Sequence, residues 1–479
     1  MLPATKVSFS IDDPALQRLY DTACAKCLNN LRHFGPDLVL VEGGGYEKIW
    51  LETQPMGGEM YAKRNMEAAL NNQLLFMRTQ RADGRIAGSI ECMKDGTVEP
   101  QCNKFQGFCF PWPALNMYYW MGQDRAYLDQ LAACLERFDH YLWRTRDSNG
   151  DGCLESFCVY DTGEDNALRY GDAPNYCTTD TPPEGSDVVP MASMDIMSFS
   201  YAARDTLCEI SRIRGDGREN HWRKAADDVA TALKEHLWHE DKAACFDKDR
   251  HGRVMPTLTH NSLRCMYWGS FSQAMADAFV QRHLLNPEEF WTALPLPSVA
   301  ANDPLFRNAP ENNWSGQCEG LTYQRAILAL ERYGYEPLVT RLGHKLMQAV
   351  IDGGYVFTQQ FDPFTGAPSC VSPVTKEPLP PDSDEPFQDA YGPTLLAVLE
   401  YMAHIWGVTL CRDQIWFSLG SGHRYTYEQQ WGEYLYRIES DGSEARIFVN
   451  GIEKHRSPCG MRLITDYNGE WIATRKIEE

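Results

Sequence analysis

Three carboxylates stand within five residues at Asp161, Glu164 and Asp165. They belong to the segment Asp147 to Arg169, DSNGDGCLESFCVYDTGEDNALR, which is polar, glycine-rich and set between two helical patterns, where a cleft would be lined. Neighbouring anions disfavour one another, so such a cluster can keep one carboxyl protonated as a general acid. A solvated acidic loop fits the spacing equally well in a chain of net charge −21. Within the same segment, Asp147, Asn149, Asp151 and Glu155 imitate the start of an EF-hand loop, with Gly152 at its turn. Position 12 would be Cys158, where a calcium sensor needs glutamate. That leaves a structural cation at 147–155 as the alternative.

A second cluster, EGGGYEKIWLETQPMGGEMYAKRN, runs from Glu42 to Asn65. Its Glu42, Tyr46, Trp50, Glu52, Gln54, Lys63, Arg64 and Asn65 mix stacking rings with hydrogen-bonding groups, as sugar subsites do. Glycines at 43–45 and 57–58 would let backbone approach a ligand closely. A plain loop followed by a helix start accounts for the same residues. Trp112, in FCFPWPALN, and Trp314 are further candidates for a pocket wall, with core packing the alternative for each. The only CxxC, Cys24–Cys27, has no second pair to complete a zinc site. Histidines are scattered without HxxxH or HExxH spacing, and no Walker, Rossmann or G-x-S-x-G signature occurs. No metal or cofactor is expected.

The run DTGEDNALR resembles the E-S-G-x-D-N-S-P-R segment of six-hairpin, (α/α)6-toroid glycoside hydrolases: glycoside hydrolase family 63, the trehalases and the mannosylglycerate hydrolases. DSNGDGCLES is similar to the D-x-N-G-D-G-L-x-E loop those enzymes place just before it. NNWSGQCEGLTYQRAILALERYGY resembles their W-x-G-P-x-W segment, with Gln317 and Glu319 where proline and the second tryptophan would stand. QQFDPFTGAPS is similar to E-x-Y-x-P-x-T-G, and FQDAYGPTLLAVLEYM to the helix after it. The order of these segments across 147–402 is stronger evidence than any one of them. The resemblance implies a glycosidase with Asp165 as general acid, and Asp161 and Asn166 beside it as substrate-binding candidates. It places the family's general base at Gln359, and an amide cannot take a proton from water. A Glu→Gln exchange that traps substrate, a different carboxylate (best Glu319), or a binding-only relative each accounts for the departure. The implied reaction is inverting and exo-acting on a short α-linked glucoside, mannoside or glycosylated small acid. An epimerase on the same toroid would need catalytic histidines.

Helical periodicity fills the first 405 residues and predicts helices over 13–32, 58–79, 108–121, 124–143, 190–213, 217–238, 265–282, 312–333, 335–352 and 385–405. In 124–143, Tyr127, Leu128, Leu131, Leu135, Phe138 and Leu142 form one apolar stripe. Consecutive hairpins of this kind suit a mainly α toroid of about six pairs. After Val408 the pattern alternates, with Asp441-Gly442 and Asn450-Gly451 as hairpin tips, so the chain divides into a toroid over 1–407 and a small antiparallel β-domain over 408–479. The loops 171–190 and 363–386 are long enough to shape a site.

Across 479 residues, 43% apolar and 23% charged composition is globular. An excess of 66 acidic over 45 basic residues disfavours nucleic acid and membrane surfaces as partners and leaves a small carbohydrate. The N-terminus lacks a basic region followed by an apolar one, and the uncharged stretch Phe105–Gln123 is too interrupted to span a bilayer. Sixteen scattered cysteines suit a reduced, cytoplasmic protein.

Overall fold

A computed structural model describes residues 2–380 and 383–479. Twelve α-helices occur among them: α1 (Pro14–Leu28), α2 (Gln54–Tyr61), α3 (Met66–Arg78), α4 (Pro111–Trp120), α5 (Arg125–Thr145), α6 (Met194–Arg214), α7 (Glu219–Leu237), α8 (Asn261–Trp268), α9 (Gln273–Phe279), α10 (Gly320–Glu331), α11 (Glu336–Asp352) and α12 (Gly392–Trp406). The even-numbered helices form a closed inner ring in which α2 packs on α4, α4 on α6, α6 on α8, α8 on α10, α10 on α12 and α12 back on α2. Sequence composition explains why these are the inner six. Every residue of α8 and of α12 is buried; α12 is mostly apolar, while α8 also buries Asn261 and Arg264 against Glu164. The outer helices are amphipathic: α5 buries the whole stripe read from its sequence, and α7 buries Trp222, Val229, Leu233 and Leu237. Helix α1 packs on α12, so the first and last helices make the sixth hairpin and close the (α/α)6 toroid.

Several predicted helices are shorter or divided, for local reasons. The 58–79 pattern breaks because the Asn65 side chain accepts from Ala68 N at 3.0 Å and caps a new helix, α3. The 265–282 pattern breaks at Gly269, whose φ of 87° ends α8. The 312–333 pattern becomes helical only at Gly320, because Cys318–Glu319 is extended and pairs antiparallel with Gln360–Phe361. Similarly, the 385–405 pattern starts its helix at Gly392.

The C-terminal strands form two antiparallel sheets packed on the toroid near α12. One contains Val408–Cys411, Gln414–Leu419, Met461–Thr465 and Trp471–Lys476. The other takes Thr5–Ile11 as its first strand, pairing Phe9 with Tyr427, ahead of Tyr425–Trp431, Tyr434–Ser440, Glu444–Val449 and Ile452–Pro458. The expected division at 407 therefore needs correction: both chain ends build the β-unit, and the seven N-terminal strand residues leave the toroid. At the tip Asn450-Gly451, φ is 50° and 80°, the left-handed pair that a tight hairpin requires. Among the described residues, no helix is long and apolar enough to cross a membrane.

Candidate active site

The segments that lead into the inner helices converge at one end of the ring and are laced together by backbone hydrogen bonds. Trp314 N donates to Asp165 O at 3.0 Å, Gly320 N to Gln359 O at 2.9 Å, and Gly107 N to Asp161 O at 3.0 Å. The N-termini of α2, α10 and α12 lie just beyond Glu52, Glu319 and Tyr391, so their partial positive charge favours anions there. The two long loops contribute as their length suggested. Tyr176 of one faces Lys104, and Lys376 of the other sits 3.9 Å above the Tyr46 ring.

Of the three clustered carboxylates, only Asp165 is available for chemistry. Asp161 is fully buried, accepts from Arg146 at 2.5 Å and from the Phe105 and Phe157 N–H groups, and so fixes the loop. Burial would raise the Glu164 carboxyl, but Arg169 (2.6 Å) overrides that and, with Arg264 and Asn261, holds it down at about 2. Asp165 keeps some accessible surface. Its two oxygens accept only from amides, Gln106 Nε2 and Asn312 Nδ2, each at 3.1 Å. Burial raises its pKa above the usual carboxylate range, against those two hydrogen bonds and the Lys104 charge. Mutual repulsion within the cluster, expected from the spacing, is not the cause.

Across the cleft from Asp165 stands Gln359, 8% exposed. Tyr46 OH donates to its Oε1 at 2.9 Å, and its Nε2 donates to Asn312 Oδ1 at 3.2 Å. The single amide of Asn312 thus links the two positions. Asp165 and Gln359 therefore border the same space, with the Asn312 amide between them. Glu319 is completely buried; Gln360 Nε2 donates to its Oε1 at 2.5 Å, and its Oε2 has no partner among the described residues. Burial lifts its pKa well above the carboxylate range, and Asp165 and Glu52 lift it further. The strand pairing sets Glu319 opposite Gln360, so Glu319 lies on the face of that strand away from the Gln359 side chain.

The remaining candidates divide between two places. Glu52 pairs with Arg325 and, raised by burial against that cation, titrates at about 7. Trp50 faces Lys104 at 4.9 Å, and Gln54 Oε1 accepts from Trp50 N at 2.6 Å, bracing it. Trp314 is buried with its ring 5.7 Å from that of His260, and exposed Asn166 donates to Asn312 O at 2.7 Å. Lys63, Arg64 and Asn65 lie past the other end of α2, ~12 Å along its axis. There Lys63 is ion-paired with Glu400, Arg64 stacks on Tyr20 and Asn65 caps α3. Trp112 sits with Glu331, Cys411 and Trp416 where toroid meets β-unit. The structure therefore does not bring these four residues to the cluster: α2 carries the first three away from it, and Trp112 belongs to α4.

Sequence reasoning did not single out Lys104, Gln106, Asn312, Gln388 or Tyr391. Gln388 Oε1 accepts from Gln359 N at 3.2 Å, and Tyr391 OH donates to Glu42 at 2.9 Å; burial lifts Glu42 to about 8. Amides and tyrosines carry no spacing signal. The one local sign is the Gln106-Gly107 pair, both at positive φ. Among the described residues, no group of three or more His, Cys, Asp or Glu is arranged to hold a metal ion.

Known proteins give the same answer for this scaffold. The family GH63 mannosylglycerate hydrolase of Thermus thermophilus, solved with glucose, superposes with a TM-score of 0.61 over 80% of this chain and 99% of its own, at 16% identity. The neutral trehalase of Saccharomyces cerevisiae gives 0.54 over 80% of each chain at 12% identity. An α-L-rhamnosidase of Streptomyces avermitilis gives 0.56 over 93% of this chain and 38% of its own, also at 12%. At these identities the likeness is one of fold. No curated protein sequence matches the chain. Residues 50–375 match the mannosylglycerate hydrolase MGH1-like glycoside hydrolase domain. A closed six-hairpin ring with carboxylates gathered at one end, and a family match over two thirds of its length, make this chain a glycosidase and a member of the MGH1-like glycoside hydrolase family.

Proposed function

We propose that the enzyme is an inverting, exo-acting glycosidase of short α-linked glucosides, mannosides or glycosylated small acids, with Asp165 as general acid. The observation that carries this reading is the Asn312 amide, which touches Asp165 and Gln359 at once and so marks the space a sugar and a water would fill. Asp165 gives its proton to the glycosidic oxygen as the anomeric C–O bond breaks. Water adds to the anomeric carbon from the other face and loses a proton to a base. Tyr46 and Gln359 hold that water by hydrogen bonds; Glu319, whose Oε2 is free but which faces away from the Gln359 side chain, serves as base through a second water. Burial keeps Glu319 largely protonated near neutrality, so little of it is in the basic form and the reaction is slow. Trp50, Glu52, Gln54, Asn166 and Trp314 form the sugar-binding wall, and Asp161 shapes the acid's loop. The free state of all sixteen cysteines supports a cytoplasmic setting.

Asp165→Asn tests the assignment. It should abolish turnover of trehalose, mannosylglycerate or methyl glycosides by about 10²–10⁴-fold, and cost 4-nitrophenyl glycosides much less because their leaving group needs no proton. Equal, mild losses on both classes would remove Asp165 from the mechanism. The second reading, a carbohydrate-binding relative that has lost hydrolysis, rests on Gln359 itself and wins if sugars bind and no variant turns them over.

A further inference from the structure

Lys104 lies in the loop that leads into α4 and is 3% exposed. A buried ammonium ordinarily finds a carboxylate. Among the described residues this one takes part in no ion pair or side-chain hydrogen bond. Three rings surround it instead: Trp50 and Tyr176 at 4.9 Å and Tyr160 at 5.9 Å from Nζ to centroid. Aromatic faces hold a cation without neutralising it. The tip therefore keeps its charge for whatever lies beside it.

What lies beside it is the acid. Asp165 is faced by the carboxyls of Glu42, Glu52 and Glu319, by the hydroxyls of Tyr46, Tyr160 and Tyr176, and by the amides of Gln106 and Asn312. The other nearby cations are committed elsewhere. Arg325 pairs with Glu52, and Lys376 donates to Gly44 O at 2.8 Å and Pro373 O at 2.6 Å. Lys104 is thus the one cation whose field falls on Asp165 without an anion of its own among the described residues. Its buried setting tightens the hold of Asp165 on its proton, and an acid that holds its proton too tightly gives it up slowly.

We propose that Lys104, gripped by Trp50, Tyr160 and Tyr176, is a positioning residue for the reaction: its unpaired charge offsets the burial of the acid and keeps the Asp165 proton transferable. The proposal rests on Asp165 being the general acid. Burial pulls the Lys104 ammonium down to about 8, with Asp165 opposing that shift, so the charge is present at neutral pH and fades above it.

Lys104→Met and Lys104→Gln remove the charge, and Lys104→Arg keeps it. The proton on Asp165 is followed directly, as the carboxyl band in infrared difference spectra of each protein against its Asp165→Asn counterpart across pH 4–9. Without the Lys104 charge, the Asp165 carboxyl should titrate roughly one pH unit higher. The alkaline limb of kcat/KM for 4-nitrophenyl and methyl α-glucoside and α-mannoside should move with it. Below that limb, where Asp165 is protonated in every variant, turnover of the methyl glycosides should fall about threefold, that of the aryl glycosides little, and Lys104→Arg should restore both. If the Asp165 band titrates at the same pH in Lys104→Met or Lys104→Gln as in the native protein, the proposal is overturned. If the band moves while the rate profiles stay put, Lys104 does act on Asp165, and it is the reading of Asp165 as the acid that fails.

Discussion

Replacing Gln359 by glutamate isolates the missing half of the acid–base pair. The side chain is 8% exposed, and the new carboxylate would inherit the Tyr46 hydroxyl, 2.9 Å from the present Oε1. It would lose the hydrogen bond from Nε2 to Asn312 Oδ1, worth ~0.5–1.5 kcal/mol. Asn312 can relieve the resulting contact between two acceptors by turning its amide, at the expense of its bond to Asp165. Against that stands the gain of a general base, typically ~10²–10⁴-fold, or roughly 2.7–5.5 kcal/mol of barrier. The gain exceeds the cost, so Gln359→Glu should raise kcat/KM by at least about tenfold. Burial will lift the new carboxyl, so the rise should appear from the neutral range upward, until Asp165 loses its proton. The assay is initial rates on 4-nitrophenyl α-glucoside and α-mannoside, trehalose and mannosylglycerate from pH 5 to 9, with the thermal midpoint as a check on folding. NMR of the first-formed anomer reports inversion. A gain under threefold in a normally folded variant would refute the reasoning and move the base away from position 359.

The other substitutions separate chemistry from scaffold. Glu319→Gln should cut the slow native rate several-fold yet leave Gln359→Glu largely unaffected; an equal loss in both would make Glu319 structural. Asn312→Ala should tighten binding of a sugar product, because the ligand no longer displaces an amide from Asp165 and Gln359; weaker binding would mean that Asn312 contacts the sugar itself. Lys63→Met should cost ~3–5 kcal/mol in denaturant unfolding, since it strands buried Glu400 without its partner, while leaving KM unchanged. Thiol titration of the denatured, unreduced protein should count close to 16; several missing thiols would contradict a reduced compartment. Stability should peak near pH 5. Glu164 is depressed to about 2, so its contribution is complete above its ordinary 4.5 and is lost as pH falls toward 2. Glu42 and Glu52 are raised to about 8 and 7, so the folded state keeps protons the unfolded chain releases, and stability falls by the order of a few kcal/mol between about 4.5 and 8. Urea unfolding at pH 3, 5 and 8 measures this, and a continuous rise from 5 to 8 would contradict it.

How far the sequence could be read follows from where each element gets its order. Helix α5 was legible because one face alone meets the core, which writes a period into the chain. The hairpin at 450–451 was legible because its backbone demands Asn-Gly. Inner helices such as α8 and α12 are buried on every side, so their limits come from caps and neighbouring strands and were misplaced by up to fourteen residues. The strand Thr5–Ile11 was missed because its partner lies more than 400 residues away. The site divides in the same way. Asp165 was found through a local motif, whereas Asp161 and Glu164, equally conspicuous in sequence, are spent on Arg146 and Arg169. A cluster of charges in sequence cannot distinguish these fates, because a carboxylate's role depends on whether a cation reaches it from elsewhere. Asp165 accepts hydrogen bonds from amides alone, and in a cleft crowded with arginine pairs it is this lack of a bonded cation that fits it for the acid's role proposed for it.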